Sequence, residues 1–286
     1  MQWRPGGVSG DIEDRRGSGG GGFSGMRLGG PGLGIGGFLV VLVLSLLFHR
    51  NLFTLFSGDV GEGSPQATSA PVGDQDTEVQ FVSFVLDDAQ GTWQKLLPAQ
   101  GSRPYQRAKL VLFRDWVSSA CGQAESATGP FYCPGDQKVY LDLSFFDELR
   151  DRFGAPGEFA QAYVIAHEIG HHVQNLLGTE GQVQRMRARN AADANPLSVR
   201  LELQADCYAG VWANSTEQRK IIDQSDVEAG MRAAAAIGDD RLQKMATGRV
   251  RPESFTHGSS QQRTQWFQRG LQSGQLSACD TFAMER

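Results

Sequence analysis

An unusually apolar helical pattern between Glu158 and Leu177 constrains the fold most strongly. Apolar side chains recur there at helical spacing, and Glu168 is the only charged residue after the first position. A surface helix carries charged side chains on one face, so we expect this helix to be buried. It follows Pro156-Gly157, and Gly178 is expected to cap its C-terminus.

Three polar residues inside this helix form the pattern His167-Glu168-x-x-His171. Side chains at positions i and i+4 share a helix face, so His167 and His171 can bind one metal ion. Glu168 is rotated by about 100° from His167, which places it beside the metal without ligating it. That position suits a general base acting on metal-activated water. The alternative, two solvated histidines, conflicts with the apolar surroundings, because buried histidines need partners.

Gly170 inside this pattern and His172 directly after it lead to two further expectations. Gly170 costs about 1 kcal/mol relative to Ala inside a helix, so we expect another segment or the substrate to approach closely there. His172 points about 100° away from His171. We interpret it as a core histidine, or as one that supports the site from behind.

A catalytic zinc site needs a third protein ligand, and Glu202 is the best candidate. It lies in a second apolar, helix-compatible stretch, and Asp206 follows it at i+4 on the same face. Asp206 is expected to accept a hydrogen bond from the ring N–H of a ligating histidine. Two acids on an apolar helix need positive charge nearby, which favours a metal over the alternative, a surface pair between Arg200 and Glu202.

The segment 28–49 predicts a membrane anchor. It begins with 21 uncharged residues after Arg27, and about 20 apolar residues span a bilayer as a helix. A signal peptide would need a small-residue cleavage site after the run, and a core helix would be amphipathic; neither pattern is present. Most of the flanking arginines precede the segment, so the positive-inside rule places the N-terminus in the cytoplasm. The C-terminal domain is then expected to be periplasmic or extracellular.

The composition divides the rest of the chain. Of the 36 glycines, 15 lie within residues 1–37, so residues 1–27 are predicted to be a disordered cytoplasmic tail. Residues 57–78 are rich in Gly, Ser, Pro and acids and predict a flexible linker. Residues 79–286 are then long enough to form one folded domain.

Four cysteines lie beyond the predicted anchor: Cys121, Cys133, Cys207 and Cys279. An even number of cysteines in an exported domain suggests disulfides. We prefer the pairs Cys121–Cys133 and Cys207–Cys279, because the first two flank a short loop rich in Gly and Pro. Zinc ligation by cysteine is the alternative, but the short spacing typical of such sites is missing.

The two helical motifs together resemble a known class of enzyme. The segments HEIGHHVQ (167–174) and ELQADCYAG (202–210) resemble gluzincin-type zinc metallopeptidases, in which an HExxH helix pairs with an ExxxD helix. More closely, the chain resembles the bacterial neutral zinc metallopeptidase family of membrane-anchored, YpfJ-type proteins. Five further segments carry this resemblance: Ile12–Gly17, Phe131–Pro134, Val139–Asp142, Ile237–Asp240 and Ser254–Ser259.

The resemblance implies an α+β, zincin-like fold, mostly helical with a small sheet. It also implies that His167, His171 and Glu202 bind Zn2+ and that Glu168 is the general base. Gluzincins place a late histidine or tyrosine near the oxyanion, which suggests this catalytic role for His257. The alternative is an ordinary turn histidine before the helix that Ser259 opens with a capping box.

The segment Lys138–Phe145 alternates apolar and polar residues and predicts a strand. It resembles the zincin edge strand that pairs with an extended substrate, a pairing that uses the main chain and so favours peptides. The pattern fits a plain core strand equally well.

These features predict a membrane-anchored zinc peptidase that hydrolyses a peptide or protein substrate, with Glu168 deprotonating the zinc-activated water. One alternative is a catalytically idle zinc-binding interaction module outside the membrane, but a structural site needs no base. Another is a zinc hydrolase acting on a non-peptide amide. The net charge of −5 argues against nucleic acid as the main partner, because phosphate binding needs a basic face.

Overall fold

A mixed four-stranded sheet forms one layer of the computed structural model, which describes residues 1–17 and 72–283. The sheet order is β1-β2-β6-β5; β1, β2 and β6 run parallel, and β5 runs antiparallel to β6. Strands β3 and β4 form a separate antiparallel hairpin. The strands are β1 (Ile12–Asp14), β2 (Lys109–Phe113), β3 (Trp116–Ser119), β4 (Gly122–Glu125), β5 (Phe131–Cys133) and β6 (Lys138–Asp142).

Helices make up most of the described residues, which agrees with the predicted mostly helical α+β class. Eight α-helices occur in this part of the chain, interspersed with short 3-10 turns. They are α1 (Val72–Ala99), α2 (Ser144–Asp151), α3 (Glu158–Leu177), α4 (Thr179–Arg189), α5 (Ala194–Gln218), α6 (Gln224–Ala236), α7 (Asp239–Thr247) and α8 (Ser260–Ser273). Helix α3 has the predicted bounds, and Gly178 caps it in the left-handed conformation.

The two central strands, β2 and β6, are buried on both faces, as strands with parallel neighbours usually are. Alternate residues of β2 serve two cores, because successive side chains of a strand point to opposite faces. Leu110 and Leu112 join the main core beneath the helices. Val111 and Phe113 join a smaller cluster that also holds Val117 of the hairpin.

The segment 1–17 is an ordered part of this domain, so its prediction as a disordered tail is wrong. Strand β1 pairs with Leu110–Leu112, and backbone bonds of 2.8 Å join the two strands at both ends. Trp3 packs its ring on Phe81 of α1, with 5.3 Å between the centroids. The carboxylate of Glu13 lies 2.7 Å from the ammonium of Lys138 in β6. The high glycine content predicted disorder, but these tertiary contacts order the segment nevertheless.

This strand pairing bears on the predicted membrane topology. Because β1 hydrogen-bonds to β2, residues 1–17 and 72–283 must lie on the same side of any bilayer. A single crossing by residues 28–49 would place them on opposite sides, so the predicted cytoplasmic N-terminus with an external domain conflicts with the sheet. The segment 28–49 itself lies outside the described residues. Among the residues that are described, no helix has the length and apolarity needed to cross a membrane.

The predicted linker and domain boundary also change. Helix α1 begins at Val72, so residues 72–78 are helical, while residues 57–71 of the predicted linker lie outside the described part of the chain. The folded domain therefore begins before residue 79 and includes residues 1–17.

Both preferred disulfides are present. Cys121, in the turn between β3 and β4, is bonded to Cys133 at the end of β5. Cys207 of α5 is bonded to Cys279 near the C-terminus. The first bond ties the hairpin to the sheet, and the second ties the C-terminal segment to α5.

We predict that residues 1–17 stabilise the domain. A chain in which a flexible Gly-Ser linker replaces residues 18–71 should be about 1–3 kcal/mol harder to unfold in urea than residues 72–286 alone, because it partly buries Trp3 and Ile12, and full burial of such side chains contributes about 1.5–3 kcal/mol each. Within the linked chain, Ile12→Ala should lower the midpoint. Val8→Ala, at a site 59% exposed, is the matched control and should not. Equal stability of the two chains would contradict the assignment.

Candidate metal centre

Helices α3 and α5 bring His167, His171 and Glu202 to one point. One nitrogen or oxygen atom from each lies within 4.8 Å of the other two. His167 Nε2 is 3.2 Å and His171 Nε2 is 3.6 Å from oxygens of the Glu202 carboxylate. The imidazole rings are perpendicular, with 4.8 Å between their centroids. Two imidazoles and one carboxylate form a donor set that zinc accepts in catalytic sites.

A second hydrogen bond orients each of the two histidines. His167 Nδ1 lies 2.9 Å from Asp206 Oδ1, and His171 Nδ1 lies 2.9 Å from Gln174 Oε1. Both oxygens are acceptors, so each Nδ1 carries a proton, and Nε2, which faces Glu202, is the atom of each ring that a metal ion would bind. Asp206 thus occupies the supporting position expected from the sequence. Gln174 was not predicted. The sequence does show an amide side chain three positions after His171 in a largely apolar helix, which could have indicated this role.

A buried arginine, also unforeseen, balances the charge of Asp206. Arg263 of α8 is 2% exposed, and its Nε and Nη2 lie 2.8 and 2.9 Å from the two oxygens of Asp206. The Tyr163 hydroxyl also donates to Asp206. An isolated buried carboxylate would be costly, whereas a bidentate guanidinium compensates it. The sequence could have indicated this role, because Arg263 lies three residues before Trp266 on the apolar face of α8, and a buried cation there needs an acidic partner.

The metal-binding cluster is electrostatically coupled. Burial raises the pKa of Glu202, but the charges and hydrogen bonds of His171 and His167 outweigh it and hold that pKa well below its usual range. Burial alone would lower the pKa of His171, yet the nearby Glu202 carboxylate raises it to about 10. Glu202 and the histidines therefore share a proton at neutral pH, and a metal ion would take its place.

Glu168 lies beside this cluster but is not one of its three converging ligands. It is 6% exposed, and burial raises the pKa of its carboxyl group. A raised carboxyl pKa makes the carboxylate a stronger base near neutral pH. Its position on α3 is therefore the one expected of a general base.

The cluster opens into a cavity of about 500 Å3, called the cleft below. His167, Glu168, His171 and Glu202 line it. Residues 126–132 line it as well. Apolar side chains also contribute to its lining, among them Phe145, Phe153, Val164, Ile237 and Leu242.

His257 also lines the cleft, and its ring is held from behind by Asp239. Asp239 accepts the backbone N–H groups of Thr256, His257 and Gly258 at 2.7–3.1 Å, and its other oxygen lies 3.1 Å from His257 Nδ1. The hydrogen bond to Asp239 raises the pKa of His257. The half-exposed ring keeps Nε2 available to the cleft. The capping box of Ser259 and Gln262 that opens the next helix is present as predicted.

The strand predicted at Lys138–Phe145 is shorter and is not an edge strand. It ends at Asp142 because α2 begins at Ser144, and it pairs with β2 on one side and β5 on the other. The last strand of the described sheet is β5, and its residues Phe131 and Tyr132 line the cleft. The sheet edge beside α3 is therefore β5.

Comparison with known proteins identifies the family. The model of the family described as "Putative neutral zinc metallopeptidase" matches residues 1–282. The chain belongs to this family. It is 45% identical over 290 residues to "Uncharacterized protein YpfJ" of Escherichia coli K12, with 99% of both chains covered. It is 46% identical over 202 residues to "Uncharacterized protein Mb2605" of Mycobacterium bovis, covering 67% of this chain and 66% of that protein. No solved structure matches significantly.

We predict that zinc affinity depends on Glu202 and not on cleft acidity in general. Glu202→Gln removes the charge of one ligand and should weaken zinc binding by more than about 100-fold. Loss of a residue that only hydrogen-bonds to a ligand typically weakens binding by about 10- to 100-fold. Glu180→Gln is the matched control, because Glu180 lines the same cleft away from the three ligand atoms. A competing chromophoric chelator measures both affinities. Equal affinities for the two variants would exclude Glu202 as a ligand.

Proposed function

We propose that the chain is a zinc-dependent peptidase that hydrolyses peptide bonds of a peptide or protein. The observation that carries the proposal is the pairing of three converging side chains with Glu168, a buried carboxylate that lines the same cleft but is not one of the three. A structural zinc site normally closes with a fourth protein ligand and needs no base. Within the described residues, the metal-binding group comprises three side chains.

The mechanism assigns a role to each residue at the cleft. Zinc held by His167, His171 and Glu202 would supply a Lewis acid that activates water and polarises the substrate carbonyl. Glu168 accepts a proton from the attacking water and returns it to the leaving nitrogen. His257 donates a hydrogen bond to the carbonyl oxygen as negative charge develops there.

The cleft favours an extended peptide as the substrate. Strand β5 is the last strand of the described sheet, and its Phe131 and Tyr132 line the cleft, so a substrate backbone can add to it as a further strand. Pairing of this kind recognises repeated peptide groups, which a small amide lacks. The aromatic side chains of Phe145 and Phe153, which also line the cleft, suit an apolar substrate side chain.

We further propose that the domain works in an oxidising compartment. Its four cysteines form two disulfides, and such bonds persist mainly in exported proteins. Residues 1–17 belong to the same domain and share that compartment.

Replacing the base is the direct test of catalysis. Glu168→Gln should lower kcat/KM by about 100-fold or more, because the proton acceptor is lost, while zinc content stays unchanged. The full chain is assayed with a quenched fluorescent peptide library, and zinc is measured by mass spectrometry. Glu148→Gln, on the cleft wall, is the matched control and should retain activity.

Two results would count against the proposal. Undiminished cleavage by Glu168→Gln would remove this residue from the mechanism. Stoichiometric zinc in the native chain without cleavage of any peptide would instead favour a non-catalytic zinc module.

A further inference from the structure

A polar stripe on α3 continues beyond the candidate base. Glu168, His172 and Asn175 are spaced i, i+4 and i+7 and so share one helix face. Two of them contact the same hydroxyl group, that of Tyr132 in β5. Tyr132 Oη lies 3.0 Å from His172 Nδ1 and 3.0 Å from Asn175 Nδ2. The face of α3 that carries the base is therefore bonded to the cleft strand.

The direction of these hydrogen bonds follows from their partners. His172 Nε2 lies 2.6 Å from the Gln106 carbonyl oxygen, which can only accept, so Nε2 carries the proton. Nδ1 is then an acceptor, and the Tyr132 hydroxyl must donate to it. The same hydroxyl oxygen accepts from Asn175. Tyr132 is thus fixed as a donor and as an acceptor at once.

Other contacts hold β5 to the sheet, such as the stacking of Phe131 on Tyr140 of β6 with 4.8 Å between the ring centroids, whereas the bonds of Tyr132 hold it to α3. The strand has three residues and pairs with β6 alone. Its far end is fixed by the disulfide at Cys133, and the loop before it by the Ser126 hydroxyl bonded to Asp142. Neither tie reaches α3. Among the side-chain bonds of the described residues, those of Tyr132 connect β5 to the metal-binding helix.

We propose that His172 is a positioning residue, which acts through Tyr132 to set the spacing between β5 and the base Glu168. The inference rests on the proposed function, in which the substrate backbone docks along β5. His172 is fully buried and reaches the cleft only through the Tyr132 side chain. Because His172 directly follows the ligand His171 on α3, its bond to Tyr132 fixes β5, and with it a docked substrate strand, relative to the metal centre.

A purely structural role for His172 makes a different prediction. Its ring also packs edge-on against Tyr105, with 5.4 Å between the centroids, so it contributes to the core. A core contact affects unfolding alone. A positioning contact affects substrate binding in the folded, zinc-loaded chain, which appears as a change in KM.

The test compares Tyr132→Phe, His172→Phe and their double variant in the full chain. Phe at position 172 keeps the size of the ring but offers no acceptor to the Tyr132 hydroxyl. Each single variant should raise KM by at least about three- to tenfold, the value of one hydrogen bond, with zinc affinity within twofold of the native chain. The double variant should match the more affected single variant, because both substitutions remove the bond between Tyr132 and His172.

Tyr105→Phe is the matched control. It removes a buried tyrosine hydroxyl that bonds Gln90 and leaves the bond between Tyr132 and His172 in place. Its KM should stay within twofold of the native value. Equal KM values for Tyr105→Phe and the two test variants would overturn the proposal, as would additive effects in the double variant.

Amide hydrogen exchange separates this inference from the proposed function. If the native chain cleaves no peptide, the proposed function fails, but exchange at residues 128–133 still reports the tie. Faster exchange there in Tyr132→Phe and His172→Phe, but not in Tyr105→Phe, supports the positioning role. Unchanged exchange in all three variants overturns it.

Discussion

The close approach of α3 to α5 at Gly170 is the contact on which the site depends. A Cβ atom at Gly170 would lie 3.0 Å from the Ala205 carbonyl oxygen and 3.2 Å from its Cα, so the two backbones are nearly in contact. Ala205 lies between Glu202 and Asp206, and Gly170 lies one residue before His171. The same approach therefore delivers a ligand to both histidines and a supporting carboxylate to one of them. The helix-propensity cost of glycine is offset by this packing.

A second backbone contact extends the arrangement to α8. A Cβ at Gly270 would lie 1.9 Å from the Cys207 carbonyl oxygen, a distance that no side chain tolerates. This contact holds α8 against α5 and allows Arg263 to reach Asp206. Positive charge from α8 thus stabilises the carboxylate on α5 that orients His167 on α3. Three helices distant in sequence form one electrostatic unit, which explains how so many charged groups can be buried together.

Local patterns in the sequence predicted what depends on one helix alone. The ends of α3, the shared face of His167 and His171, and the packing reason for Gly170 all follow from helical spacing and glycine chemistry. Arg263 and Gln174 could not be placed, because the partner of a buried polar group is a tertiary fact. Strand β1 has three residues in a glycine-rich segment, and its partner strand begins near residue 110. The alternation of apolar and polar residues in β6 fits an edge strand and an interior strand equally, so only the structure shows that β6 has a neighbour on each side.

The central claim is that His167, His171 and Glu202 hold one zinc ion beside Glu168. Crystals of the full chain with one equivalent of zinc, measured on both sides of the zinc absorption edge, test it most directly. The account predicts a single anomalous peak about 2.0–2.2 Å from Nε2 of each histidine and from a Glu202 oxygen. A peak at any other place, or none at stoichiometric zinc, would contradict it.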